Sequence, residues 1–311
     1  MTMTRHWIVG PGALGRLIAL RLAEEAEVTL IGRRTLPAVQ TLITPEQASL
    51  VRRVEVARID ALPREAPDVV HLTTKAHGAE AAHGALADHL PAGVPLVLWQ
   101  NGFGCQPRLS ERHAGPVLCA STTEGAHVQD DAQVTHAGHG HTFLGSLDGQ
   151  HGELAAGLAA TLTSAGLPAE AVDDIRVRLW RKLAVNAVIN PLVARFRIRN
   201  GQLRDRPFRA LVETLIAEVA TTLSAEGITP PDGKGLAGWR HLVWQVIEAT
   251  AANRASMLQD VQAGRATEHE AILAPLIAAA EKHRLATPGL TDHLEVLRDR
   301  ADTLAKPPTA C

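Results

Sequence analysis

An α/β domain built on a mostly parallel sheet, followed by an all-α domain, is the fold class the sequence predicts. Three observations predict it. A short apolar run, Trp7-Ile8-Val9, leads directly into Gly10-Pro11-Gly12-Ala13-Leu14-Gly15, which opens a helix-like stretch from Leu14 to Ala26. Strand, G-x-G-x-x-G and helix in that order give the glycine pattern its meaning. Short apolar runs then alternate with helical patterns as far as residue 122, as in a parallel sheet covered by helices. From about Val172 the texture changes to long segments that are apolar at helical spacing and poor in strand signals. The boundary is predicted near 172–176, giving a Rossmann-type dinucleotide-binding domain over 1–173 and a helical domain over 174–311.

Taken in order, strands are expected at 5–10, 27–32, 68–74, 95–99 and 117–122, and helices at 14–26, 77–90 and 152–165. Residues 123–147 alternate polar and apolar positions with glycines and predict antiparallel strands that close the first domain. In the second domain the helical runs are 176–196, 207–226, 235–263, 267–284 and 290–305. Pro230-Pro231, Gly264, Pro288-Gly289 and Pro307-Pro308 punctuate them.

Each glycine of the motif has a separate task. Gly10 allows the tight turn, Gly12 lets the backbone approach a pyrophosphate, and Gly15 lets the helix pack on its strand. Backbone N–H groups around Ala13 and Leu14, with the helix dipole, then face the phosphates. A second strand, Glu27-Val28-Thr29-Leu30-Ile31-Gly32, ends in Arg33-Arg34 rather than in an acidic residue for the ribose 2′-hydroxyl of NAD. Two guanidinium groups there suit a 2′-phosphate, so the expected cofactor is NADP(H).

Composition narrows the function classes. The chain has 311 residues, 46% of them hydrophobic, enough for two cores, and a formal net charge of −2 that gives no general attraction to nucleic acid or anionic membrane. Five Trp, four Phe and no Tyr leave no stacking stripe for single-stranded nucleic acid. No apolar run reaches the roughly 18 residues that a membrane span needs. The first strand follows almost at once on Met1, which leaves no room for a signal peptide. Cys105, Cys119 and Cys311 are odd in number and widely spaced, which is no disulfide framework and fits a reducing cytoplasm. His136, His139 and His141 form an H-x-x-H-x-H cluster, but in a Gly-rich hairpin without nearby Cys, so no metal is expected. Cys105 is read as incidental rather than as a catalytic thiol.

The second domain carries two polar faces. Lys182, Asn186 and Asn190 stand at i, i+4 and i+8 on a helix over 176–190 that Pro191 is expected to interrupt, among apolar Leu179, Trp180, Leu183, Val185 and Ile189. The stripe is either solvated or a specific site. Two Asn, poor helix formers, are unusual in a merely solvated stripe. Asn253, Ser256 and Asp260 follow at i, i+3 and i+7 on a helix expected over 235–263, with Glu268 opening the next. This face is either an ordinary surface or a cradle for a small polar ligand.

Leu179-Trp180-Arg181-Lys182-Leu183-Ala184-Val185-Asn186-Ala187-Val188-Ile189-Asn190-Pro191-Leu192 resembles a characteristic helix of the ketopantoate reductases (2-dehydropantoate 2-reductases). Asn200-Gly201-Gln202-Leu203, Asn253 to Asp260, Thr74-Lys75-Ala76, Gln100-Asn101-Gly102 and Ser121-Thr122-Thr123 match that family in order and spacing. The resemblance implies NADPH-dependent reduction of ketopantoate to pantoate, with the helical domain as the substrate and catalytic domain. It implies that Lys182 gives a proton to the ketone oxygen and that Glu268, twelve residues after Ser256, is the essential glutamate. It assigns Asn101, Asn186, Asn190, Asn253 and Ser256 to the substrate. It assigns Gly10, Gly12, Ala13, Leu14, Gly15, Arg33, Lys75 and Asn101 to the cofactor. The chain departs from the family pattern after Glu268, where it reads His269-Glu270-Ala271-Ile272, and after Pro288, where it reads Gly289-Leu290.

The expected partner is a small 2-keto acid in the cytoplasm, with no nucleic acid and no membrane, and the chain is compatible with a monomer or a homodimer. Two other functions fit the same residues: a paralogous reductase of another 2-oxo acid, and a non-catalytic NADP(H)-binding sensor, which would need neither Lys182 nor Glu268.

Overall fold

A computed structural model describes the backbone of residues 3–305 and side chains through Arg300. Contacts gather the chain into two compact units. The first comprises residues up to Gln100 together with Gly104–Arg178, and the second comprises Asn101–Phe103 together with the chain from Leu179 onward. Cys311 lies outside the described residues.

The first unit is built on an eight-stranded sheet. Its strands are β1 (Arg5–Val9), β2 (Glu27–Gly32), β5 (Glu55–Arg58), β6 (Val69–Leu72), β7 (Leu96–Leu98), β8 (Val117–Thr122), β11 (Thr142–Gly145) and β12 (Ala169–Ala171), in the order β12-β11-β8-β7-β6-β1-β2-β5. The six strands from β8 to β5 pair in parallel, and only the β11–β8 pair is antiparallel. Strands such as Leu96-Val97-Leu98 are buried throughout, which is why the parallel core reads as mostly apolar runs.

A second sheet, in the order β4-β3-β10-β9, comprises β3 (Val39–Ile43), β4 (Ser49–Arg53), β9 (Gly125–Val128) and β10 (Gln133–Gly138). This corrects the expected closure by residues 123–147. β9 and β10 do form an antiparallel hairpin, but β10 pairs in parallel with β3, and only β11 of this stretch joins the main sheet. Helix α1 (Ala13–Leu22) touches β1 and β2 on one side and β3, β9 and β10 on the other. Sandwiched between two sheets, it buries every residue from Gly15 to Leu20 and has no broad solvent face. Helices α2 (Ala76–Ala87), α3 (Cys105–Arg112) and α4 (Gly152–Ser164) complete the unit.

The second unit is helical: α5 (Ile175–Phe196, whose first turn belongs to the first unit), a 3-10 turn Asn200–Arg204, α6 (Arg206–Ala225), α7 (Gly235–Ala249), α8 (Ser256–Gln262), α9 (His269–Lys282) and α10 (Pro288–Ala305). Two expectations are corrected. Pro191 does not interrupt α5. The proline removes one helical donor, but Ala187, Val188, Leu192, Val193 and Ala194 around it are all buried, and packing holds the helix together. The helix expected over 235–263 is two helices. Gly201 N and Asn200 N donate to Ala251 O and Asn253 O at 3.0 and 3.1 Å, and Asn200 Nδ2 donates to Thr250 Oγ1 at 2.9 Å. The 3-10 turn thus takes the carbonyls that would have continued α7. Asn253 lies in the break, and Ser256 is the first residue of α8.

Candidate active site

In the first unit β1 lies between β2 and β6, so the chain order reverses at β1 and the loops after β1 and β6 open at one topological switch point. Gly10 adopts φ +105°, its N–H donates to Ile31 O at 2.9 Å, and a Cβ there would stand 2.5 Å from Thr74 N. A Cβ on Gly15 would collide with Gly10 O and stand 2.5 Å from Thr73 Oγ1. Both glycines are therefore required by the packing of the turn.

Gly12 differs: nothing lies within 4 Å of the position its Cβ would take. It is also the N-cap of α1 without a side-chain cap, which leaves first-turn N–H groups of Ala13, Leu14 and Gly15 for an anion. An open cradle at an uncapped helix start fits a dinucleotide pyrophosphate. Arg33, exposed, makes no hydrogen bond or ion pair among the described residues, while Arg34 is paired with Asp131. Lys75 is the partly exposed N-cap of α2.

Two positioning residues carry no role in the sequence reading, although Gln100 stands in a matched segment. Thr73 Oγ1 donates to Gly10 O at 2.7 Å, and buried Gln100 donates from Nε2 to Leu72 O and Thr74 O at 2.8 and 3.1 Å. They tie the ends of β1, β6 and β7 together. The available signal was a polar residue at the end of each apolar run, Thr73 after Leu72 and Gln100 after Trp99.

In the second unit Asn101, Lys182 and Glu268 come together. Asn101 precedes Gly102-Phe103, where Phe103 N donates to Ala271 O at 3.0 Å and the Phe103 ring lies 5.0 Å from Trp180. Gly102 has φ +84°, and a Cβ there would run into the Ala271 backbone. This anchoring brings Asn101 Nδ2 to 3.4 Å from Glu268 Oε2. Glu268 is buried at the N-cap of α9. Although part of Lys182 is exposed, burial of its ammonium pushes the pKa from 10.5 down to about 8, and the charge of Glu268 opposes that shift.

Asn186 and Asn190 stand on the same face of α5 as Lys182, half-buried and buried respectively. Their amides have no hydrogen-bond partner among the described residues. Asn253 and Ser256 are both exposed, around the start of α8, and Asp260 is instead engaged with Arg265 at 3.0 Å. Asn253, Ser256 and Asp260 therefore do not form one helical face. The departures from the family pattern have structural employment. Glu270 pairs with Arg298 of α10, and Glu218 caps α10 by accepting from Gly289 N and Leu290 N at 2.8 and 2.9 Å.

His136 is buried against Glu124 at 2.6 Å and Arg21 at 3.2 Å, and His139 pairs with Glu46. No group of three or more His, Cys, Asp or Glu among the described residues could hold a metal ion. Cys105 and Cys119 are buried and form no disulfide. No helix among the described residues is long and apolar enough to cross a membrane.

Residues 7–149 match the family model "Ketopantoate reductase PanE/ApbA", and residues 174–301 match "Ketopantoate reductase PanE/ApbA C terminal". The 2-dehydropantoate 2-reductase of Vibrio cholerae is 37% identical over 283 residues, covering 90% of this chain and 92% of that one. The chain belongs to the ketopantoate reductase family. The crystal structure of a PanE/ApbA family ketopantoate reductase from Ralstonia eutropha superposes with a TM-score of 0.85 at 22% identity, covering 98% of this chain and 100% of that one. A D-mandelate dehydrogenase bound to NADH and anilino(oxo)acetate shares the fold with a TM-score of 0.84 at 20% identity, covering 97% of this chain and 100% of that one. The ketopantoate reductase family is a family of oxidoreductases, and Lys182 and Glu268 lie within the matched C-terminal region.

Proposed function

We propose that this chain reduces 2-dehydropantoate (ketopantoate) to pantoate with NADPH, in pantothenate and coenzyme A biosynthesis in the cytoplasm. The observation that carries the reading is Lys182, under the charge of Glu268 at the start of α9, on a face of α5 that also presents Asn186 and Asn190. Gly10, Gly12, Ala13, Leu14, Gly15, Arg33 and Lys75 hold the dinucleotide, which when bound supplies hydride to the ketone carbon. As the carbonyl is reduced, negative charge gathers on its oxygen. The Lys182 ammonium stabilises that charge and transfers a proton from Nζ to the oxygen. A pKa near 8 makes it a readier acid than an ordinary lysine while keeping it charged at neutral pH. Asn186, Asn190 and Asn101 offer amide donors and acceptors to the carboxylate, ketone and hydroxyl of the substrate, with Asn253 and Ser256 closing the set. Glu268 keeps Lys182 charged and holds Asn101.

The test is NADPH consumption against a panel of 2-keto acids that includes ketopantoate, pyruvate and phenylglyoxylate. Ketopantoate is expected to give the highest kcat/KM. A higher value for any other acid would assign the chain to that substrate instead, and no turnover with any of them would favour the sensor.

A further inference from the structure

The fork of Arg34 is already filled. Its Nη1 and Nη2 donate to Asp131 Oδ2 and Oδ1 at 2.6 and 2.5 Å, and both side chains are more than half exposed. Asp131 lies in the turn between β9 and β10, and that turn keeps its shape without the Asp131 side chain. Gln129 N and Asp130 N donate to Gln133 O, Ala132 N donates to Asp130 Oδ1 at 2.7 Å, and buried Arg16 of α1 donates from Nη1 to Asp130 O at 2.7 Å. Arg34 in turn stands beside the glycine loop: a Cβ on Gly32 would lie 2.7 Å from Pro11 Cγ and 3.2 Å from Arg34 O.

Resting on the NADP(H) reading above, we propose that Asp131 is a cofactor-selecting residue. Its carboxylate occupies the guanidinium fork that an incoming 2′-phosphate takes over, and its charge sets how strongly the chain prefers NADPH to NADH. A carboxylate and a phosphate present the same two-oxygen edge to an arginine fork. Held by Arg34, the Asp131 carboxyl stays below its ordinary pKa and is charged at any working pH. An exposed ion pair contributes little to folding, so Arg34 exchanges partners easily. The displaced carboxylate then stands near a group carrying roughly −1.5 to −2 charges and weakens its binding. NADH has only a hydroxyl at that position. It neither competes for the fork nor is repelled by Asp131.

The experiment compares the unaltered full chain, Asp131→Asn and Arg34→Ala. Affinities for NADPH and for NADH are read from quenching of tryptophan fluorescence without substrate, and melting temperature is measured alongside. Asp131→Asn is expected to tighten NADPH about 3- to 10-fold, leave NADH within about twofold and leave the melting temperature within about 2 °C. Arg34→Ala is expected to weaken NADPH alone. If Asp131→Asn leaves NADPH unchanged or weaker, or tightens both cofactors equally, the role of Asp131 is overturned. If the unaltered chain binds NADPH and NADH equally, the NADP(H) reading itself fails, whatever the variant does.

Discussion

Adding one methyl group at Gly10 and one at Gly12 should give opposite phenotypes. At Gly10 the backbone is at φ +105°, where an alanine is strained by about 1–3 kcal/mol. Its Cβ would also lie 2.5 Å from Thr74 N and 2.9 Å from Thr73 C, both backbone atoms that cannot swing aside. Overpacking of that kind costs a further 1–3 kcal/mol or so. Gly10→Ala should therefore lose about 2–6 kcal/mol and melt roughly 5–20 °C lower. At Gly12 φ is −78° and no atom lies within 4 Å, so Gly12→Ala should melt within about 2 °C of the unaltered chain. The methyl instead fills the space through which a pyrophosphate reaches the first-turn N–H groups. Losing one or two charge-assisted hydrogen bonds there should weaken NADPH about 10- to 100-fold. Scanning fluorimetry and an NADPH titration on the same samples separate the two effects. A Gly12→Ala protein that binds NADPH normally, or that melts as low as Gly10→Ala, would refute the reasoning.

Lys182→Ala should lower kcat for ketopantoate by about 10²–10⁴-fold with little change in NADPH affinity. If the Lys182 ammonium is the acid, its pKa near 8 in the free protein means that kcat/KM should hold below that pH and fall as pH rises through it; a profile flat to pH 10 would remove Lys182 from the acid role. A separate acid sensitivity sits in the first unit. Trp99 Nε1 donates to His71 Nδ1 at 3.2 Å and the other nitrogen of His71 meets His6 Nδ1 at 2.9 Å, so both rings are held neutral, and burial pushes His6 from 6.5 to about 4. The lowered folded pKa means that stability present above pH 6.5 is lost as pH falls toward 4, by roughly 3 kcal/mol from His6 alone. Urea melts between pH 7 and 4.5 should show that slope and His6→Phe should flatten it; an unaltered slope in the variant would place the sensitivity elsewhere.

The sequence made the parallel core readable because its strands, buried on both faces, are short, predominantly apolar runs broken only by single residues such as His71 and Thr29. It hid β3, β4 and β5, because this edge of the molecule is half solvated: Ser49-Leu50-Val51-Arg52-Arg53 alternates exposed and intermediate positions and carries two arginines. Helix α3, Cys105-Gln106-Pro107-Arg108-Leu109-Ser110-Glu111-Arg112, has too few apolar residues for a helical period to stand out. The break after α7 contains neither Gly nor Pro and is imposed by the distant Asn200-Gly201 turn, which no local pattern records. At the candidate site, the stripe of Lys182, Asn186 and Asn190 was legible as a period along one helix. The meeting of Asn101 with Glu268 was not, because the two are 167 residues apart and only tertiary packing joins them.

The strip Asn101–Phe103 packs with residues that follow it by some eighty to one hundred and seventy positions. No single cut in the chain can therefore release the helical unit whole. A fragment beginning at Leu179 would lack the ring that packs on Trp180, the amide that meets Glu268 and the glycine that fits against Ala271, three defects at the candidate site. Recombining such fragments between relatives should succeed only when the tripeptide travels with the helices it serves, so in chimaeras the inherited unit of this enzyme is discontinuous.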